Sequence, residues 1–163
     1  MASTISAATL TVKITESILL NGSEQGSTNT LSVGSISQVY KRIVSCPANA
    51  ETRVVDFHSA VSDATLTPLD VHDVKYIRLT NLDDSVSITI SLQIDVGEDD
   101  TAADASSSIL VGPGQSFIMG TPHDAIGADD DAAGLVTDLV DLESIIVQPG
   151  SSAVDVELFV ASS

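Results

Sequence analysis

Apolar and polar residues alternate along much of this chain, and the alternation is most regular at residues 86–96. One side of that run is wholly aliphatic: Val86, Ile88, Ile90, Leu92, Ile94 and Val96. The intervening positions are serine, threonine, glutamine and aspartate. Successive side chains of a strand point to opposite faces, whereas a helix would scatter these positions around its axis. The run predicts a strand with one buried and one solvated face.

The same alternation recurs near both ends of the chain, at residues 9–15 and 154–160. Less regular apolar runs predict further strands at about 17–20, 29–33, 37–45, 51–58, 74–80, 107–112, 115–120 and 142–148. Turn-forming residues separate several of them: Asn21-Gly22, Gly112-Pro113-Gly114 and Pro149-Gly150. About ten short strands with short turns predict an all-β fold, an antiparallel β-sandwich or jelly roll.

Helical patterns are rare, so a parallel α/β fold is not expected. Residues 59–64 have room for one helical turn, and residues 131–139 are the one longer candidate, weakened by Gly134. Neither a repeat of fixed period nor a long linker divides the chain. We predict one β-sandwich domain at residues 9–163, preceded by an arm at residues 1–8 that becomes ordered against a neighbouring molecule.

The composition fits a folded protein with an aliphatic core. Of 163 residues, 43% are hydrophobic but only 3% are aromatic. The single cysteine, Cys46, excludes an internal disulfide and is expected to be a small buried residue. No apolar stretch approaches the ~20 residues of a membrane span, and the first residues lack the pattern of a secretion signal. We therefore expect synthesis in a cytoplasm and no membrane partner.

The charge is strongly negative and unevenly distributed. The formal net charge is −17, yet residues 1–78 hold all six cations against seven acids, and residues 79–163 hold sixteen acids and no Lys or Arg. A negative field repels phosphate backbones and anionic lipids. Nucleic acid is therefore not an expected partner.

Catalytic motifs are missing from the sequence. The three histidines are His58, His72 and His123, and acidic neighbours of the last two are common by chance in so acidic a chain. There is no G-x-S-x-G elbow, phosphate-binding glycine loop or H-E-x-x-H helix. We predict that the protein is not an enzyme.

Two acidic loops are candidates for Ca²⁺, which accepts six to eight oxygen ligands in irregular geometry. The carboxylates concerned are Asp95, Glu98, Asp99, Asp100 and Asp104 in one loop, and Asp124, Asp129, Asp130 and Asp131 in the other. Their spacing does not match an EF-hand. The alternative interpretation is a solvated acidic surface with no metal and no cofactor.

Several segments carry a resemblance to a known group of proteins. Residues 73–84 contain Arg78-Leu79-Thr80-Asn81 followed by Asp83, and residues 111–118 contain Gly112-Pro113-Gly114-Gln115-Ser116-Phe117. With residues 11–31 and 157–162, these segments cover about a third of the chain. Together they resemble small structural proteins in the virions of tailed bacteriophages.

The resemblance implies a location in the virion after synthesis in the host cytoplasm. It implies a capsid decoration protein, also called a cement protein, that binds other virion proteins, above all the major capsid protein, and forms a homo-oligomer. A tail or head-tail connector component is the alternative within the virion. A soluble calcium- or carbohydrate-binding β-sandwich is the alternative outside it, because one fold hosts many functions.

The charge asymmetry suggests which part of the chain faces a partner. We predict that five cations lie on the partner side: Lys41, Arg42, Arg53, Lys75 and Arg78. The acidic segments 97–104 and 124–131 would then point into solvent and discourage clumping by repulsion. The alternative is that these cations neutralise acids on neighbouring strands.

Overall fold

Twelve strands account for most of the described part of the chain. The structure is a computed structural model, and it describes residues 6–57, 69–94, 105–128 and 134–163. In chain order the strands are β1 (Ala8–Thr15), β2 (Leu19–Leu20), β3 (Ser23–Glu24), β4 (Thr28–Ile36), β5 (Gln38–Cys46), β6 (Thr52–Asp56), β7 (Val74–Asn81), β8 (Ile88–Ile94), β9 (Ala105–Val111), β10 (Ser116–Met119), β11 (Leu142–Pro149) and β12 (Val154–Ser162). Within these ranges no helix is long and apolar enough to span a membrane.

Eight of the strands form two four-stranded antiparallel sheets. Sheet I has the spatial order β10-β7-β12-β5, and sheet II has the order β6-β11-β8-β9. The pairs β5–β12, β6–β11, β7–β10 and β8–β9 are nested in the sequence. Nesting of this kind arises when one long antiparallel hairpin rolls up into two facing sheets, which is the jelly-roll arrangement. The predicted all-β antiparallel sandwich is confirmed.

The two sheets enclose one aliphatic core. Leu79 and Leu158 of sheet I and Ile90 and Ile145 of sheet II are fully buried and belong to the same cluster. The neighbours of Leu79, Leu158 and Ile90 in sequence point outward, as the period-2 pattern requires, whereas Ser144 beside Ile145 is buried next to a register shift in β11. Full burial of each such side chain contributes about 1.5–3 kcal/mol, so the summed aliphatic contacts hold the sheets together.

The predicted strands and the observed ones differ mainly at their ends. The predicted run 86–96 corresponds to β8, and its last two residues lie outside the described residues. The first of the two helical candidates, residues 59–64, also lies outside the described residues. Residues 134–139, the described part of the second, contain no helix. Gly134 and the acidic residues around it favour irregular backbone there.

Cys46 is buried at the end of β5, as its surroundings in the sequence predict. Burial raises the pKa of its thiol, because the interior disfavours the thiolate. The thiolate is the reactive form, so Cys46 behaves as a small apolar residue of the core.

A β-ribbon precedes the sandwich and lies outside both sheets. It consists of the antiparallel pair β1–β4, extended by the short hairpin β2–β3, and we call residues 8–36 the ribbon. Asn21 and Gly22 turn the hairpin with φ angles of 52° and 79°. Positive φ at both central residues is the requirement of a type I′ turn, which Asn-Gly satisfies. The predicted domain at 9–163 therefore comprises a ribbon and a sandwich that begins at β5.

Buried Asn81 ties together the two segments that carry the family resemblance. Its Nδ2 donates to the carbonyls of Val86 at 2.8 Å and Gly112 at 3.1 Å, and its Oδ1 accepts from the Asp83 amide at 3.0 Å. The Asp83 carboxylate in turn accepts from the amides of Ser85 and Val86, which lowers its pKa. These residues fix the β7–β8 connection against the β9–β10 turn, so their role is structural.

We expect Asn81→Ala to destabilise the fold by at least about 2 kcal/mol, because it removes a buried side chain that pairs with two partly buried carbonyls and one amide. Urea unfolding followed by circular dichroism measures the change. Asn29→Ala is the matched control: Asn29 is exposed on β4, and its replacement should cost under about 0.5 kcal/mol. Equal losses in the two variants would contradict the structural role of Asn81.

Candidate assembly surface and histidine cluster

The ribbon is amphipathic across its width. Cross-strand partners share a face, and the register pairs Leu10 with Val33 and Val12 with Leu31. The opposite face pairs Thr11 with Ser32, Lys13 with Thr30 and Thr15 with Thr28. The ribbon therefore presents one aliphatic face and one polar face.

Only the base of the aliphatic face is covered. There Leu10, Val12 and Val33 pack near buried Ile36, and the aromatic pair Tyr76–Phe159 lies beneath them on the face of sheet I that points away from sheet II. Further along the ribbon five large aliphatic side chains are exposed, and two of them, Leu19 and Leu20, point to opposite faces because they are adjacent in β2: Ile14, Ile18, Leu19, Leu20 and Leu31. Leu19 is 70% exposed. A concentration of exposed apolar residues in one part of a surface is typical of an interaction site.

The outer face of sheet I continues this apolar surface. Ala161 belongs to the cluster at the base of the ribbon, and its partner in β5 is Val39. Val39 is exposed, as are Ile43 on the same strand and Ile118 on β10. We define the docking surface as the exposed aliphatic residues of the ribbon together with these three.

An ion network occupies the middle of that sheet face. Glu157 on β12 forms an ion pair with Arg78 on β7 and another with Lys41 on β5, the latter with Nζ and Oε2 3.1 Å apart. Arg78 also donates to Thr80, whose hydroxyl lies 2.8 Å from that of Ser116. The hydrogen bonds from Arg78 and Lys41 lower the pKa of the Glu157 carboxyl.

The five predicted partner-facing cations lie in different settings. Lys41 and Arg78 lie on the docking side, paired with Glu157. Arg42 points to the inner side of β5, where its Nη2 donates to the Val54 carbonyl of β6 at 3.3 Å. Its Nε has no hydrogen-bond partner among the described residues. Arg42 therefore bridges the two sheets at an open edge of the sandwich.

The other two cations make local contacts. Arg53 on β6 pairs with Asp56 at 3.0 Å, and Lys75 Nζ donates to the His72 carbonyl at 2.8 Å. Lys41, Arg53 and Arg78 therefore each form an ion pair with a nearby acid. This agrees with the alternative interpretation, in which the cations neutralise acids on neighbouring strands. The partner-facing role of all five stays a prediction.

Of the carboxylates proposed for Ca²⁺, only Asp124 lies within the described residues, where its Oδ2 is 3.2 Å from His123 Nε2. The loop from Asp95 to Asp104 and residues Asp129, Asp130 and Asp131 lie outside them. A calcium site in either loop stays a prediction.

Two histidines that are distant in sequence meet at one end of the sandwich. β10 runs antiparallel to β7, so the segment after β10 returns to the turn before β7. His72 and His123 consequently stack with their ring centroids 4.1 Å apart. Three aspartates surround them, and we call the group the histidine cluster: Asp70, His72, His123, Asp124 and Asp141.

Short nitrogen–oxygen contacts join both histidine rings to aspartate carboxylates within the cluster. His123 Nδ1 lies 2.7 Å from Asp141 Oδ1, and His123 Nε2 lies 3.2 Å from Asp124 Oδ2. His72 Nδ1 lies 3.2 Å from Asp70 Oδ1. The acidic neighbours of His72 and His123 were visible in the sequence, but their convergence with Asp141 depends on strand pairing.

A histidine–aspartate contact is also the arrangement of a general base and its orienting carboxylate. A hydrolytic site needs a nucleophile within hydrogen-bond reach of the base. In the described portion, no Ser, Thr or Cys side chain is hydrogen-bonded to His72 or His123. Among the described residues, the cluster therefore has a base and orienting carboxylates but no hydrogen-bonded nucleophile.

A polar depression of about 340 Å³ lies on the outer face of sheet II. Hydroxyl and amide side chains dominate its lining: Glu51, Thr89, Ser91, Gln93, Ser106, Ser108, Ile146 and Gln148. These groups can hydrogen-bond a sugar, but among the described residues the lining has no aromatic ring for the sugar to stack on. The depression gives the carbohydrate-binding alternative only weak support.

The ion network predicts a pH-dependent contribution from Glu157. A carboxyl whose pKa is lowered by folding stabilises the fold fully above its ordinary value of 4.5, and this contribution is lost as the pH falls through the lower folded value. Glu157→Gln should therefore lower the melting temperature at pH 7, and the deficit should shrink towards pH 3. Glu51→Gln, at an exposed acid, is the control for general charge. A deficit of constant size at both pH values would contradict the prediction.

No protein-family model and no curated protein matches the sequence, and no solved structure matches the fold. Jelly rolls occur in viral capsids, lectins and other proteins, so the fold by itself does not assign a function. The functional assignment therefore rests on this chain's own surfaces, charge and geometry.

Proposed function

We propose that this chain is a non-enzymatic structural subunit of a larger assembly, and specifically a decoration protein on the capsid of a tailed bacteriophage. The observation that carries the proposal is the ribbon, whose aliphatic face is covered only at its base. A subunit of this kind works through buried area and strand pairing, without a chemical reaction.

The energetics of the ribbon favour a partner. An isolated two-stranded hairpin is marginally stable in water. Exposed Ile18, Leu19 and Leu20 add the cost of hydrating three neighbouring aliphatic side chains, and burial recovers about 1.5–3 kcal/mol for each fully covered one. Packing against a neighbouring subunit would both stabilise the two-stranded ribbon and remove its exposed aliphatic side chains from water.

A second copy of this chain is the proposed occupant of the docking surface. The aliphatic tip of the ribbon is chemically matched to exposed Val39 and Ile43 on sheet I, just as its base already packs on that sheet. Self-association must overcome the repulsion of two chains of charge −17. The docking side offers the least repulsion, because Lys41 and Arg78 lie there.

The virion assignment has separate support. The segments around Arg78–Asp83 and Gly112–Phe117 resemble those of small phage virion proteins, and in this chain they form one packed unit around Asn81. Jelly rolls are a recurrent fold of viral capsid proteins. A tail or connector location is the alternative within the same class, and it differs in where the chain lies on the particle.

The first test is the oligomeric state. We expect the wild type to be an oligomer by light scattering after size exclusion, and the double variant Leu19→Ser/Leu20→Ser to shift towards monomer because it removes aliphatic contact area. Leu110→Ser is the matched control, since Leu110 is 71% exposed on sheet II, close to the 70% of Leu19. All these residues are exposed, so the fold should be retained. An unchanged oligomer in the double variant would refute docking through the ribbon.

The second test locates the protein. We expect a fixed copy number in gradient-purified particles of the virus that encodes it, with density on the capsid surface in cryo-electron microscopy. Density on the tail or connector would select the alternative within the virion. A free protein that is retained on a glycan column would instead support the soluble binding module.

A further inference from the structure

We propose that the histidine cluster is a binding site for a divalent transition metal, with Zn²⁺ as the favoured ion. The ligands are one ring nitrogen of His72, one ring nitrogen of His123 and one carboxylate oxygen of Asp141. These three atoms lie within 4.8 Å of one another. The inference is independent of the proposed assembly role.

The spacing fits a metal after small side-chain movements. Two ligands of a tetrahedral Zn²⁺ ion, each at about 2.0–2.1 Å, lie about 3.3 Å from each other. The three ligand atoms must therefore approach one another by at most about 1.5 Å. The His72 side chain is 59% exposed on a turn, so it has room to move.

The ligand types select the ion. Imidazole nitrogen suits Zn²⁺ and its neighbours among the transition metals, whereas Ca²⁺ and Mg²⁺ prefer sites made only of oxygen. Two imidazoles and one carboxylate leave a fourth position for water or a group from a partner. The ion would also offset the three aspartates that crowd around the two rings.

Part of the site is already held in place by hydrogen bonds. The Asp124 amide donates to Asp141 Oδ1 at 2.7 Å, and the Leu142 amide donates to the Pro122 carbonyl at 3.0 Å. These contacts hold the backbone segment that carries His123 against the segment that carries Asp141. Such outer contacts orient metal ligands and tune their affinity.

Asp70 orients the backbone and the ring of His72. Its carboxylate accepts from the His72 amide at 3.0 Å and lies 3.2 Å from His72 Nδ1. A carboxylate on one ring nitrogen leaves the other nitrogen free to bind a metal, which is a common arrangement around Zn²⁺.

The expected consequence is a cross-link between the two sheets. His72 precedes β7, His123 follows β10, and Asp141 precedes β11, so the ion would join two connections of sheet I to a strand of sheet II. Because the ion binds the folded chain, its addition should raise the melting temperature.

Isothermal titration with Zn²⁺, in buffer containing millimolar Ca²⁺ to occupy the acidic loops, tests the proposal. We expect one Zn²⁺ per chain and a higher melting temperature. His72→Gln and His123→Gln should each weaken binding by at least about 100-fold, since loss of even an outer-shell partner costs 10–100-fold. Asp73→Asn removes a nearby exposed charge without removing a ligand, and it should bind like the wild type.

Two readouts keep the result unambiguous. Circular dichroism shows whether each variant is folded, and the imidazole NMR signals of His72 and His123 in the wild type should shift on addition of Zn²⁺ without any substitution. Binding that survives in the His72→Gln/His123→Gln double variant, or histidine signals that do not move, would overturn the proposed site.

Discussion

The antiparallel pairing of β12 with both β5 and β7 is the constraint on which the rest of the structure depends. β12 is the last strand of the chain, and it lies between β5 and β7 in sheet I. Until it is in place, Leu158 and Val160 cannot cover the core, and Glu157 cannot meet Arg78 and Lys41. The base of the ribbon also depends on it, because Phe159 and Ala161 form part of the surface on which Leu10 and Val33 pack.

Local sequence pattern was sufficient to predict the sandwich. Period-2 alternation identifies a strand because every second residue faces the core and the residues between them face outward. β8 is the clearest example. The same pattern could not reveal that β1 and β4 pair with each other outside the sheets. Leu10, Val12 and Ile14 read as an ordinary half-buried strand, and only the tertiary structure distinguishes covered Val12 from exposed Ile14.

The histidine cluster illustrates the limit of prediction from sequence more sharply. His72 and His123 are separated by about fifty residues, and Asp141 lies further along the chain. Their approach is decided by the register of β7 with β10 and by the bridge between Ile126 and Val140. Neither is encoded in the neighbours of the histidines. Acidic residues beside each ring were visible, but in a chain with 23 acids they had little meaning until the fold brought the rings together.

Charge and apolar exposure together argue for where an assembly contact would form. A net charge of −17 opposes close approach of two copies over most of the surface. Around Glu157 that repulsion is locally reduced, since Arg78 and Lys41 both pair with its carboxylate. The exposed aliphatic residues Val39 and Ile43 flank this ion network on β5. Apolar burial drives association wherever electrostatic repulsion is weakest, so in the proposed assembly the acidic majority of the surface would restrict contacts to this side of the molecule.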